Sequence, residues 1–249
     1  MANNISISKS GSVLKGDKYR ITILSERLLR LEYSPDGRFL DEKTEFAINR
    51  DFPDVEYKIQ QDQQFLMVST SYFTLTYKKE APFEGSKISP DGNFKVVLNG
   101  TDKYWYINHP EARNFGGSAI SLDANGVNTK LLKGLYSTDG FASIDDSDSL
   151  IYDSEGFLKR QENKHTDIYL FMYRRDFGLC LKDYFELTGK PALIPRYALG
   201  IWWNREKIYS DEDVKKIVQI FNRYHIPLSV VLLTDFLLEC LFLFIKPQI

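Results

Sequence analysis

The chain has 249 residues, 43% of them hydrophobic, and its 32 Lys and Arg against 34 Asp and Glu leave a formal charge of −2. That length is enough for one large or two modest buried cores, and the near balance of charge gives no electrostatic ground for a nucleic-acid or anionic-membrane partner. Two cysteines far apart, Cys180 and Cys240, and a start without a basic or apolar leader pattern exclude a disulfide framework and predict a cytoplasmic setting.

Strand signals fill the first two-thirds. Leu29-Arg30-Leu31-Glu32-Tyr33 alternates, which puts Leu29, Leu31 and Tyr33 on one sheet face and Arg30 and Glu32 on the other. Ser34-Pro35-Asp36-Gly37 then spells a type I turn, and the same spelling returns at Ser89-Pro90-Asp91-Gly92 before Phe94-Lys95-Val96-Val97-Leu98. Phe65 to Val68, Tyr72 to Tyr77 and Ile168 to Tyr173 are further predicted strands. Many short strands separated by turn residues predict a mainly β fold, an antiparallel β-sandwich. The aromatic share of 14% suits both half-buried sheet faces and sugar-stacking surfaces, so it decides nothing alone.

Near residue 178 the period changes. Leu181, Tyr184, Phe185 and Leu187 have helical spacing, stopped by Thr188-Gly189-Lys190-Pro191. Leu199-Gly200-Ile201-Trp202-Trp203 is a short apolar strand. Ser210 is placed to cap a helix with Asp213 as its capping-box partner, and Val214, Ile217, Val218 and Phe221 form one apolar face. Leu228 to Leu233 then reads as a buried strand. Strand, helix and strand in that order imply a parallel βαβ step.

Four stretches carry a resemblance. They are Arg27 to Gly37; Asn114-Phe115-Gly116-Gly117-Ser118 with Leu122-Asp123; Gly134 to Phe141 leading into Ile144-Asp145-Asp146-Ser147; and Pro195 to Arg205. In this order they resemble the family 31 glycoside hydrolases, the α-glucosidase and α-xylosidase family, over about residues 17 to 233. The resemblance implies a galactose-mutarotase-like sandwich over 1–177, a helical linker over 178–195, and the first βα unit of a (β/α)8 barrel over 196–249. It also implies retaining hydrolysis of α-linked glucosides or xylosides, in which one carboxylate attacks and a second protonates the leaving oxygen. The family takes both acids from later barrel strands, so no residue of this chain is assigned a catalytic role, and the chain alone is expected to be inactive.

Substrate contact is expected from four residues. Trp202 and Trp203 offer aromatic faces to a sugar, the alternative being one ring inside the barrel and one under a helix. Arg205 follows the strand at the end where barrel sites form, or makes a surface ion pair. The family's sugar-holding Asp falls in register at Thr234, with Asp235 one residue later. From Phe236 onward the resemblance stops, which suggests a shifted or shortened reading frame; coding DNA beyond codon 234 lacking barrel sequence in every frame would count against that. The apolar run is interrupted by Asp235 and Glu239 and is too short for a membrane span of ~20 residues, so an exposed sticky tail is expected.

No cofactor is implied. Asp145-Asp146-Ser147-Asp148 lacks the glycine of a calcium loop and reads as a solvated or turn-capping loop, and His109, His165 and His225 stand apart, so no metal site is expected. The partner expected is an α-linked oligosaccharide. The alternative reading is a non-catalytic carbohydrate-binding β-sandwich.

Overall fold

The computed structural model describes residues 6–9, 13–85, 92–111, 113–117, 132–161, 165–205, 208–233 and 241–244. The chain divides into two compact units, Met1–Lys190 and Pro191–Ile249. In chain order the first unit holds β1 (Ser6–Lys9), β2 (Val13–Lys15), β3 (Tyr19–Ile23), β4 (Leu28–Tyr33), β5 (Glu56–Gln61), β6 (Phe65–Ser69) and β7 (Phe73–Lys78). After these come β8 (Phe94–Leu98), β9 (Tyr104–Trp105), β10 (Phe141–Asp145), β11 (Ile151–Tyr152), β12 (Leu158–Lys159), β13 (Thr166–Met172) and helix α1 (Phe177–Thr188).

Two antiparallel sheets make up most of it. One is six-stranded, in the order β1-β5-β6-β7-β8-β9, and the other five-stranded, β10-β13-β4-β3-β2. Their facing sides interdigitate through Ile21, Leu29, Leu31 and Leu170 from one sheet and Val68, Leu75, Phe94 and Trp105 from the other. These side chains are almost completely buried, and each such residue stabilises the fold by about 1.5–3 kcal/mol. The architecture is the mainly β, antiparallel sandwich that the alternating runs predict.

The five-stranded sheet is buried on its second face as well. Leu28, Tyr169, Phe171 and Tyr173 pack there against Cys180 and Leu187 of α1. Burial pushes the Cys180 thiol up to about 12, which leaves it a packing group and a poor nucleophile at neutral pH. On this same face the alternation of β4 places its charges, and they are not solvated: Arg30 is 3% exposed and Glu32 fully buried. Antiparallel register sets Arg20 opposite Glu32 and Glu32 opposite Asp167. Arg20 grips Glu32 through Nε at 2.6 Å and an Nη at 2.7 Å, while Arg30 donates to Asp167 at 2.6–3.2 Å and to the Leu40 carbonyl at 2.9 Å. The desolvation that opposes the Arg30 charge is outweighed by the bonds and charge of Asp167, so its guanidinium is held above its ordinary value.

The turn at 34–37 forms as expected, with Gly37 N–H donating to the Ser34 carbonyl at 3.1 Å. Of the repeated spelling, Ser89 to Asp91 lies outside the described residues. The loop at 145–148 caps its turn as expected, with Asp145 and Asp148 exposed, and one residue of it departs from expectation. Asp145 caps its own turn through Ser147, but Asp146 is fully buried and accepts from Thr44 Oγ1 at 2.8 Å. The reason is long-range: Thr44, 102 residues away in the chain, bonds the Asp146 carboxylate where it is buried, and nothing local in the sequence encodes that partner.

Candidate functional site

The second unit carries the predicted site residues. A 3-10 turn (Arg196–Leu199) leads into β14 (Ile201–Asn204), followed by α2 (Asp211–Arg223), β15 (Leu228–Leu233) and β16 (Leu241–Phe244). The helix begins as its residues require. Ser210 Oγ accepts from Asp213 N–H at 3.3 Å and Asp213 Oδ2 accepts from Ser210 N–H at 3.1 Å, a complete capping box. Three acids stand in its first turn and Arg223 in its last, both favourable to the helix dipole. Val214 is buried and Ile217, Val218 and Phe221 are half-buried, so the apolar face is the one expected.

β14 and β15 pair in parallel, Trp202 beside Val230, Trp203 beside Val231 and Asn204 beside Leu232, with α2 as the connection. Val230 and Val231 are fully buried. The two strands therefore end side by side, at Asn204 and Leu233. β15 then pairs antiparallel with β16 through Val230 to Leu233. Part of the C-terminal run, Leu241–Phe244, is thus a paired β-strand. The open edge of β15 offers unpaired N–H and C=O groups, and an apolar run free of Pro and Gly is suited to take them.

Trp202 and Trp203 occupy opposite faces of β14, as successive strand residues must. Trp202 is 45% exposed, and its indole N–H donates to the Ala198 carbonyl at 3.0 Å, which fixes the ring against the 3-10 turn. Trp203 is half-buried and packs edge-on to Tyr209 with ring centroids 5.1 Å apart. The two rings cannot sandwich one sugar between them. Arg205 leaves β14 at its C-terminal end and is exposed. Asp235 and Thr234 lie outside the described residues. The structure thus brings Trp203 and Arg205 to the end of one strand and sets Trp202 on the other side.

In the first unit, two of the quoted motifs are stapled together. Asn114 Oδ1 accepts from Gly116 N–H and Gly134 N–H, each at 2.8 Å, and its Nδ2 donates to the Gly134 carbonyl at 2.7 Å. Ser137 N–H donates to the Tyr173 hydroxyl at 2.6 Å. These bonds give Asn114 a structural task within its own unit. The Ser118 and Leu122-Asp123 part of that motif lies outside the described residues. Among the described residues, no group of three or more His, Cys, Asp or Glu is placed to hold a metal ion, and no helix is long and apolar enough to cross a membrane.

No family model matches the chain. An α-xylosidase of Saccharolobus solfataricus is 27% identical over 176 residues, which span 64% of this chain and 22% of that protein. An isomaltosyltransferase of Sporosarcina globispora is 29% identical over 65 residues, 26% of this chain and 6% of that protein. A GH31 dextranase of Flavobacterium johnsoniae superposes with a TM-score of 0.52 at 16% identity, covering 93% of this chain and 33% of the dextranase. Its complexes with isomaltotriose, in a mutant, and with glucose give the same figures.

Over part of its length the chain is related to the family 31 glycoside hydrolases. The structural likeness speaks for the fold, and it agrees with the sandwich built above from the residues. The chain spans about a fifth of the length of the α-xylosidase and a third of the dextranase.

Proposed function

We propose that this chain is the N-terminal part of a retaining hydrolase of α-glucosides or α-xylosides, working in the cytoplasm on an α-linked oligosaccharide. In this reading residues 1–177 are the sandwich, 178–195 a helical connection, and 196–249 the opening of a (β/α)8 barrel. The observation that carries it is the parallel β14–β15 pair bridged by α2. A parallel pair with a helical crossover is the repeating step of such a barrel, and barrel active sites form at the C-terminal strand ends. Trp203 and Arg205 stand at that end of β14. The α-xylosidase and isomaltosyltransferase relatives, and the sugars bound to the dextranase, favour a glycoside as the ligand.

Within this reading Trp202, Trp203, Arg205 and Asp235 contact substrate, and the nucleophile and acid are not supplied by these 249 residues. Purified chain given nitrophenyl α-glucoside or α-xyloside should therefore show no turnover above a heat-killed control. Clear turnover would overturn the placement of both acids elsewhere. The contact residues are tested by titrating isomaltose against tryptophan emission. The response should shrink in Trp203→Phe, and a response unchanged in Trp202→Phe and Trp203→Phe alike would remove both rings from the site.

A further inference from the structure

Asp139 belongs to one of the four stretches that carry the family resemblance, yet it lies in the first unit and the proposed reaction gives it no task. It borders an open cleft of about 310 Å³ at the β9 edge, at the lower end of the ~300–1,000 Å³ typical of small-ligand sites. Tyr104 and Tyr106 form one part of the lining, and Asp102, Lys103, Arg113 and Asp139 another.

Three features mark a site whose groups are set in advance. Asp139 Oδ1 accepts a short hydrogen bond from Lys103 Nζ, and Arg113 Nη1 stands 3.8 Å from the same oxygen. The His109 ring is locked, its Nδ1 accepting from Glu111 N–H at 3.0 Å and its faces and edges meeting Tyr106 at 4.8 Å and Phe141 at 5.0 Å. Lys95 Nζ lies 4.6 Å from the centroid of the Tyr104 ring and holds it in place. Groups fixed before binding lose little conformational entropy when a ligand arrives. The charges also select a ligand class. Two carboxylates face two cations, so the cleft favours neither an anion nor a cation. Aromatic walls beside carboxylate, ammonium and guanidinium groups match a molecule with apolar ring faces and many hydroxyls that both donate and accept.

We infer that the cleft between β9 and the Thr138–Gly140 turn, in the first unit, is a binding site for a neutral sugar. The choice of sugar among neutral polyols rests on the glycoside reading above; the cleft itself does not. It would hold one or two pyranose units of an oligosaccharide and add affinity without chemistry.

The test is amide chemical-shift mapping of the whole chain with isomaltotriose as the probe. Shifts are expected at residues 102–106 and 139–141, saturating in the ~1–10 mM range usual for weak binding. Arg113→Ala, which removes a side chain 67% exposed and so leaves the fold intact, should weaken them about tenfold. Tyr104→Ala should act in the same direction. Shifts confined to residues around Trp202 to Arg205 would overturn this site and leave the proposed function standing. Shifts at the cleft alone would support it while counting against substrate contact by Trp203. An absence of shifts at the cleft, or equal binding by both variants and the wild type, overturns it as well.

Discussion

Asp167→Ala should destabilise the sandwich by about 3–5 kcal/mol, the cost of leaving a buried charge without its partner. Asp167 is fully buried and receives three hydrogen bonds from Arg30, whose side chain is only 4% exposed. Removing the carboxylate leaves a guanidinium with one remaining acceptor, the Leu40 carbonyl, and a 3.2 Å contact to Glu32. Glu32 is already engaged in a bidentate bond by Arg20, so it cannot fully replace what was lost. For a unit of this size the midpoint of thermal unfolding should fall by roughly 6–20 °C. The matched double change Arg30→Leu with Asp167→Leu removes both charges and leaves the Arg20–Glu32 pair in place. It should cost less than Asp167→Ala alone, because no unpaired ion remains. Denaturant unfolding followed by near-ultraviolet circular dichroism measures both. A double variant whose loss equals the sum of the losses in Arg30→Leu and Asp167→Leu, each measured singly, would show the pair to be uncoupled, and the account would fail.

This network also marks where reading the sequence reaches its limit. The alternation of Leu29, Leu31 and Tyr33 against Arg30 and Glu32 gives the two faces of β4 correctly, because strand periodicity is a local property. It does not reveal that the charged face is buried, since the groups that take up its charges, Asp167 and the Leu40 carbonyl, lie outside the strand. The same division runs through the second unit. Ser210 and Asp213, three residues apart, foretell the cap and the start of α2, and apolar spacing foretells the face built on Val214. The pairing of Leu241–Phe244 on the open edge of β15 was not legible, because an unbroken apolar run has no period to separate strand from tail. In the sandwich cleft, Lys103 and Asp139 lie on separate turns, and only the fold makes them neighbours. Trp202 and Trp203 are adjacent in the sequence, and that adjacency sends their rings to opposite sides.

Gly140→Ala should cost about 2–4 kcal/mol, more than any ordinary surface change. The residue sits at φ +81°, where an alanine pays about 1–2 kcal/mol for the left-handed backbone. A Cβ there would also lie 2.6 Å from the Arg174 carbonyl oxygen and 2.8 Å from Arg174 Cα, both parts of the backbone with little room to yield. The Gly140 carbonyl accepts from Tyr173 N–H at 2.9 Å and Arg174 N–H at 2.8 Å, so movement away from the clash strains the end of β13. Gly100 provides the control. Its φ is +75°, but nothing lies within 4 Å of a Cβ built on it, so Gly100→Ala should show the backbone cost alone, about 1–2 kcal/mol. Denaturation midpoints of the two variants, measured side by side, separate the clash from the dihedral. Equal losses would mean that β10 and β13 adjust freely around Arg174. A larger loss at Gly140, accompanied by weaker isomaltotriose shifts at Lys103, would tie the rigidity of this turn to the aim of the Asp139 carboxylate, because the residue that sets the turn is the one next to it.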